Sequence, residues 1–193
     1  MIAPPRGAAR ERIIAEAREQ FLTRGFADVS MQQIADASGI TKAALYYHFR
    51  NKEDLFAEII RRAVNEFWGG LIACTEQEGS LRDILLEITA FAETMATDRV
   101  PWLILNDVER YLSAEVRNAI FTEHPEPDVA LAGLLERSIA AGEIRPINVQ
   151  LAARLLTAML LGLFHNHHEH VQPQSGDAEQ MVDLFLNGVL PRE

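Results

Sequence analysis

Cysteine is nearly absent from this chain of 193 residues: Cys74 stands alone. No disulfide can form within the chain, a pattern that fits a reducing compartment. Long apolar runs are missing too. The longest, Leu155 to Phe164, has 10 residues, half of the roughly 20 that a membrane-crossing helix needs. The opening Met1 to Arg6 carries no apolar stretch and is not expected to act as a secretory signal. A soluble, cytoplasmic protein is the expectation. Catalytic grammar is also missing: there is no P-loop, no glycine-rich dinucleotide turn and no HExxH. Cys74 lies in an apolar stretch with no evident base beside it. The chain is therefore not expected to be an enzyme, and no cofactor or metal is expected. Positive charge is in short supply, with a net charge of −10. Taken whole, that argues against a polyanion as partner.

The distribution of charge argues the other way. Residues 1–52 hold 8 Arg and Lys against 5 acids, a net of +3, which leaves −13 for the rest. A basic head on an acidic body is the asymmetry expected when only the head meets nucleic acid.

The chain reads as helix throughout, about nine helices, with no convincing alternating strand pattern. Ile13, Ile14, Ala17, Phe21 and Leu22 recur at helical spacing and stop at Gly25, since glycine takes the left-handed conformation without penalty. Ser30 with Gln33 predicts a capping box opening a short helix, with Val29 and Ile34 placed for a hydrophobic staple. That helix ends near Gly39. Thr41 caps a helix over Lys42 to Phe49, and Asn51 caps a long one with Glu53 and Asp54 in its first turn, where acids suit the helix dipole. Later helices start at Ser80, Ser113 and Asn148, and a last one carries Met181, Leu184, Phe185 and Val189. A boundary falls near Asn51, giving a head over residues 1–51 and a body over 52–193.

The segment from Ser30 to Phe49 has the grammar of a helix-turn-helix. In that motif the second helix lies in the major groove and its first residues meet base edges. Here those are Thr41, Lys42 and Ala43: lysine bonds guanine acceptors or phosphate, and alanine touches a thymine methyl. Tyr46, Tyr47 and His48 offer donors to phosphates, and Lys52 adds a charge beside a helix N-terminus. Packing of Tyr47 or His48 in the head's small core is the plainer alternative for those two.

The stretch from Ser30-Met31-Gln32-Gln33-Ile34-Ala35 through Gly39-Ile40-Thr41-Lys42-Ala43-Ala44-Leu45-Tyr46-Tyr47-His48-Phe49 to Lys52-Glu53-Asp54-Leu55 closely resembles the TetR family of bacterial regulators. Phe21-Leu22-Thr23-Arg24-Gly25-Phe26 resembles the end of that family's first helix. The resemblance covers residues 10–60. It implies an all-α homodimer whose three N-terminal helices bind an inverted-repeat operator in double-stranded DNA. It further implies a body that holds a small-molecule effector, last two helices that dimerise, and DNA contacts at Ser30, Thr41, Lys42, Tyr46, Tyr47, His48 and Lys52. The expected function is a transcriptional repressor released by its ligand. The alternative is an all-α small-molecule binding protein with a vestigial head.

In the body, Phe67, Trp68, Phe91, Met95, Trp102 and Tyr111 are candidates to line a pocket for an apolar or amphipathic ligand; a filled core is the competing reading. Asp107, Glu109 and Glu87 could meet a cationic ligand, but solvated faces are the reading preferred for all three. The helix from Val149 is apolar almost all round between Leu155 and Phe164, which predicts burial on more than one side. His165, His167, His168 and His170 pair at i, i+3, a spacing that can chelate metal, but a solvated helix end is the reading adopted.

Overall fold

The computed structural model describes residues 6–97, 107–122, 127–165 and 176–189. Among these the chain is all-α. The helices are α1 (Arg6–Arg24), α2 (Met31–Ala37), α3 (Lys42–His48), α4 (Lys52–Thr75), α5 (Leu81–Thr97), α6 (Ala114–Thr122), α7 (Pro127–Ala140), α8 (Val149–His165) and α9 (Asp177–Val189). A short helical stretch at 107–111 precedes α6. No described helix is long and apolar enough to cross a membrane.

The expected caps are in place. Ser30 and Gln33 form the reciprocal capping box of α2. Thr41 Oγ1 accepts from the Ala44 amide at 3.2 Å, and Asn51 Oδ1 accepts from the Asp54 amide at 2.7 Å. Ser80, Ser113 and Asn148 accept from the amides three residues on. Each cap satisfies an amide that the first helical turn leaves without a partner.

The chain divides into two compact units: residues 1–64 with 99–123, and residues 65–98 with 124–193. The first is built round Ile13, Ala17 and Phe21 of α1, Ile34 and Ala35 of α2, Leu45 of α3, and Leu55, Phe56 and Ile59 of α4. Val108, Leu112 and Ile120 complete this core from far along the chain. Its centre is aromatic: the Phe26 ring lies 5.4 Å from Phe21, 4.8 Å from Phe56 and 4.4 Å from Tyr111. Such pairs add about 0.5–1.5 kcal/mol each beyond their burial.

The second unit buries Leu71 of α4, Ile84, Leu85 and Ile88 of α5, Leu131 and Leu135 of α7, Leu156 and Leu160 of α8, and Val182 of α9. Polar ties close its rims. The Leu81 amide donates to Glu143 Oε2 at 2.7 Å, Thr157 Oγ1 donates to Asp128 Oδ1 at 2.7 Å, and Arg145 donates to the Gly188 carbonyl at 2.7 Å. Cys74 is buried here; burial and the nearby Glu87 carboxylate push its thiol pKa up, which keeps it unreactive.

Candidate nucleic-acid interface

The site is made by two short helices and the turn between them. Just past α2 and its Ser38 cap comes Gly39, whose φ of +64° only glycine adopts freely. There the Gly39 amide donates to the Asp36 carbonyl at 3.1 Å and the Ile40 amide to the Ala35 carbonyl at 3.0 Å. This paired arrangement stops α2 abruptly and turns the chain into α3. Ala35 is fully buried, as a small side chain must be where two helices cross closely.

Helix α3 then has two faces. Leu45 and the following Phe49 point into the core, while Lys42, Ala43, Tyr46 and Tyr47 are exposed. Positions 42, 43, 46 and 47 form one stripe at helical spacing. Tyr47 is 71% exposed, so it does not serve the core. The Lys42 Nζ lies 6.0 Å from the Tyr46 ring. His48 is half-buried, with its ring edge-on to that of Tyr47 at 5.4 Å between centroids. Ser30 and Thr41 are exposed, each with its hydroxyl already accepting from a backbone amide. A concavity of about 490 Å³ gathers Ser30, Lys42, Tyr46 and Lys52 on one surface.

Lys52 differs from the others. It is half-buried, and its ammonium donates to the carbonyls of Phe26 and Val29, both at 2.7 Å. Further charge of the first unit is organised around Glu58. Glu58 on α4 takes Arg10 of α1 at 3.0 Å, and Arg61 and Arg62 of its own helix at 2.9 and 3.0 Å. Arg62 also donates to Glu11 at 2.8 Å. Burial alone would raise the Glu58 pKa. Hydrogen bonds from Arg62 and Arg10 outweigh it and hold the carboxyl below its ordinary range. The i+3 and i+4 spacing of Arg61 and Arg62 to Glu58 was visible in the sequence; the Arg10 partner was not.

The other expected residues fall in two places. Phe67, Trp68 and Phe91 come together in the second unit, with Phe67 4.8 Å from Trp68 and 6.2 Å from Phe91. Met95 is half-buried near the end of α5. Tyr111 belongs to the first unit, against Phe26. Asp107 accepts from the Phe26 amide at 3.2 Å, a structural partner that the sequence did not reveal. Trp102 and the histidines at 167, 168 and 170 lie outside the described residues. Among the described residues no cluster of three metal-ligating side chains occurs.

Comparison with known proteins agrees with this geometry. The profile for bacterial regulatory proteins of the tetR family matches residues 13–59, and that for the tetracyclin repressor-like C-terminal domain matches residues 85–189. The chain is 30% identical over 187 residues to the HTH-type transcriptional repressor BepR of Brucella suis, spanning 93% of this chain and 86% of BepR. The TetR family transcriptional regulator PfmR of Thermus thermophilus superposes with a TM-score of 0.73 at 27% identity, covering 94% of this chain and all of that one. FadR of Bacillus subtilis, solved in complex with stearoyl-CoA, shares the fold with a TM-score of 0.72 at 19% identity, over 92% of this chain and 98% of that one. The chain belongs to the TetR family of helix-turn-helix transcriptional regulators, which are DNA-binding proteins and not enzymes.

Proposed function

We propose that this regulator is a homodimeric repressor that a small molecule releases from an inverted-repeat operator. The observation that carries the reading is the exposed stripe of α3. Thr41, Lys42 and Ala43 stand at the start of a helix whose other face is locked into the core. That is the arrangement by which a recognition helix presents its first turn to base edges. Ser30, Tyr46, Tyr47 and His48 serve the sugar-phosphate side, with Lys52 at the edge of the same surface. Residues 1–51 carry DNA binding, and residues 52–193 carry ligand binding and dimerisation. The similarity to a repressor, BepR, supports repression as the outcome.

Two further features support the dimer and the ligand. Leu151 and Leu155 on α8 and Leu184 on α9 are exposed in the single chain, Leu184 by 72%. Apolar side chains so exposed on the two last helices suit a second copy of the chain, whose two-fold symmetry calls for matching half-sites. Phe67, Trp68, Phe91 and Met95, all in the second unit, are the aromatic and apolar group for an amphipathic ligand. The stearoyl-CoA held by FadR, a protein of the same fold, makes acyl-CoA the first class to try.

The test is a gel shift on the DNA upstream of the protein's own gene, with and without long-chain acyl-CoA. A shift that acyl-CoA reverses is expected. A folded chain that leaves this DNA unshifted while binding acyl-CoA would favour the binding protein with a vestigial head.

A further inference from the structure

Helix α1 stops at Gly25, whose amide donates to the Phe21 carbonyl at 2.9 Å. The next amide, that of Phe26, turns instead to Asp107 and donates to its Oδ2 at 3.2 Å. Asp107 is 81 positions further along the chain but belongs to the same compact unit. Tyr111 lies one helical turn beyond Asp107, on the same face, and its ring is 4.4 Å from that of Phe26. One short helical stretch thus holds Phe26 both by its amide and by its ring. Phe26 is buried, so its amide without an acceptor would be costly. The carbonyls of the same turn face Lys52. The ammonium donates to Phe26 and Val29 at 2.7 Å and to Ala27 at 3.4 Å, and lies 4.3 Å from the centroid of the Phe26 ring. The bond to Ala27 is the long one and is exposed. Of the three N–H donors, that one can turn to a phosphate oxygen while the other two stay bound.

We propose that Asp107 is a positioning residue for DNA binding: by fixing the Phe26 amide it sets the turn over residues 26–29, whose carbonyls aim the Lys52 ammonium at the phosphate backbone. The proposal rests on the reading of the α3 surface as the one that meets DNA, with Lys52 at its edge. Charge alone predicts the opposite sign. Asp107 is an anion in a unit that meets a polyanion, so its removal should strengthen binding. A positioning role predicts weaker binding when the acceptor is lost, whatever happens to the charge. The carboxylate works here as an acceptor, and the side-chain carbonyl of asparagine, of the same shape, replaces it.

The experiment compares full-length wild type, Asp107→Ala and Asp107→Asn in binding to a short mixed-sequence duplex, followed against salt. The two variants remove the same charge and differ in the acceptor. Asp107→Asn is expected to bind at least as tightly as wild type. Asp107→Ala is expected to bind about tenfold more weakly than Asp107→Asn, as loss of one charged hydrogen bond to DNA implies. Its slope of log K against log salt should be smaller by about 0.9, the share of one phosphate contact. Equal affinities and slopes for the two variants overturn the proposal and leave the DNA-binding reading standing. The same pair is then made in a Lys52→Ala background. There the tenfold gap is expected to vanish, because Asp107 acts through Lys52; a gap that persists overturns the proposal. A wild type that binds neither this duplex nor the DNA upstream of its own gene overturns both. If Asp107→Ala loses its helical circular dichroism, Asp107→Leu, which keeps the bulk without the acceptor, carries the same comparisons.

Discussion

Gly69 and Gly70 stand side by side in the middle of α4, yet the structure assigns opposite consequences to replacing them with alanine. A glycine inside a helix costs about 1 kcal/mol relative to alanine. At Gly69 a methyl group would meet nothing within 4 Å, so Gly69→Ala should recover that propensity and stabilise the second unit by about 1 kcal/mol. At Gly70 the methyl carbon would run into the Phe91 ring, lying within 3 Å of three of its atoms. The ring must leave. Overpacking of this kind costs about 1–3 kcal/mol, and Phe91 would give up its contact with Phe67. Setting that against the same propensity gain, Gly70→Ala should destabilise by about 1–2 kcal/mol. The assay is urea unfolding followed by tryptophan fluorescence, with Trp68 beside Phe67 as a reporter of α4. For a chain of this size 1 kcal/mol also moves Tm by about 2–4 °C, so thermal melts should order the proteins Gly69→Ala, wild type, Gly70→Ala. If Gly70→Ala stabilises as much as Gly69→Ala, Phe91 moves aside at no cost, and the reasoning from ring contact fails.

Glu58→Gln should weaken the first unit by about 1–3 kcal/mol at neutral pH, since three arginines lose a shared anion. The Glu58 carboxyl is held below its ordinary value of 4.5 in the fold. Its contribution is therefore present above that value and lost as pH falls through the lowered one, so acid melts of wild type and variant should draw together only well into the acid range, below 4.5. A gap that persists there would refute the assignment. Leu155, 54% exposed in the single chain, should accept Glu without unfolding the protomer. Leu155→Glu should nonetheless weaken dimerisation at least a hundredfold in sedimentation, about 3 kcal/mol for an unpaired charge at a buried interface; an unchanged dimer would remove α8 from the interface. Tyr47→Phe should leave Tm within about 2 °C, as an exposed hydroxyl should, while weakening DNA binding about tenfold if the hydroxyl reaches phosphate. Lys42→Ala should instead relax base preference, at about 1–3 kcal/mol on the preferred operator, measured by binding to a randomised duplex pool.

The helix-turn-helix was legible because its signals are local. Ser30 with Gln33, Gly39 and Thr41 each act within a few residues, so spacing alone places them. Apolar spacing likewise put Ile13, Ala17 and Phe21 inward. What the sequence could not show depends on distant partners. Val108, Leu112 and Ile120 fall in the stretch assigned to the body, and nothing in their spacing says which core they enter. Tyr111 read as a pocket residue because an aromatic among apolar neighbours looks the same whether it faces a ligand or Phe26. Lys52 looked like a free charge, since three backbone carbonyls more than twenty positions away leave no trace in composition.

The head's interior is finished by residues contributed from position 107 onward, and this bears on how the protein is made and recombined. On the ribosome, the first 64 residues emerge with Phe26 still lacking Tyr111 and Asp107. The DNA-reading part therefore completes its packing only after the whole of α5 has been synthesised. A chimaera that grafts residues 1–64 onto a relative's body exchanges only part of a core, and the transplanted head would meet foreign side chains at positions 108, 112 and 120. Exchanging residues 99–123 along with it keeps that interior intact.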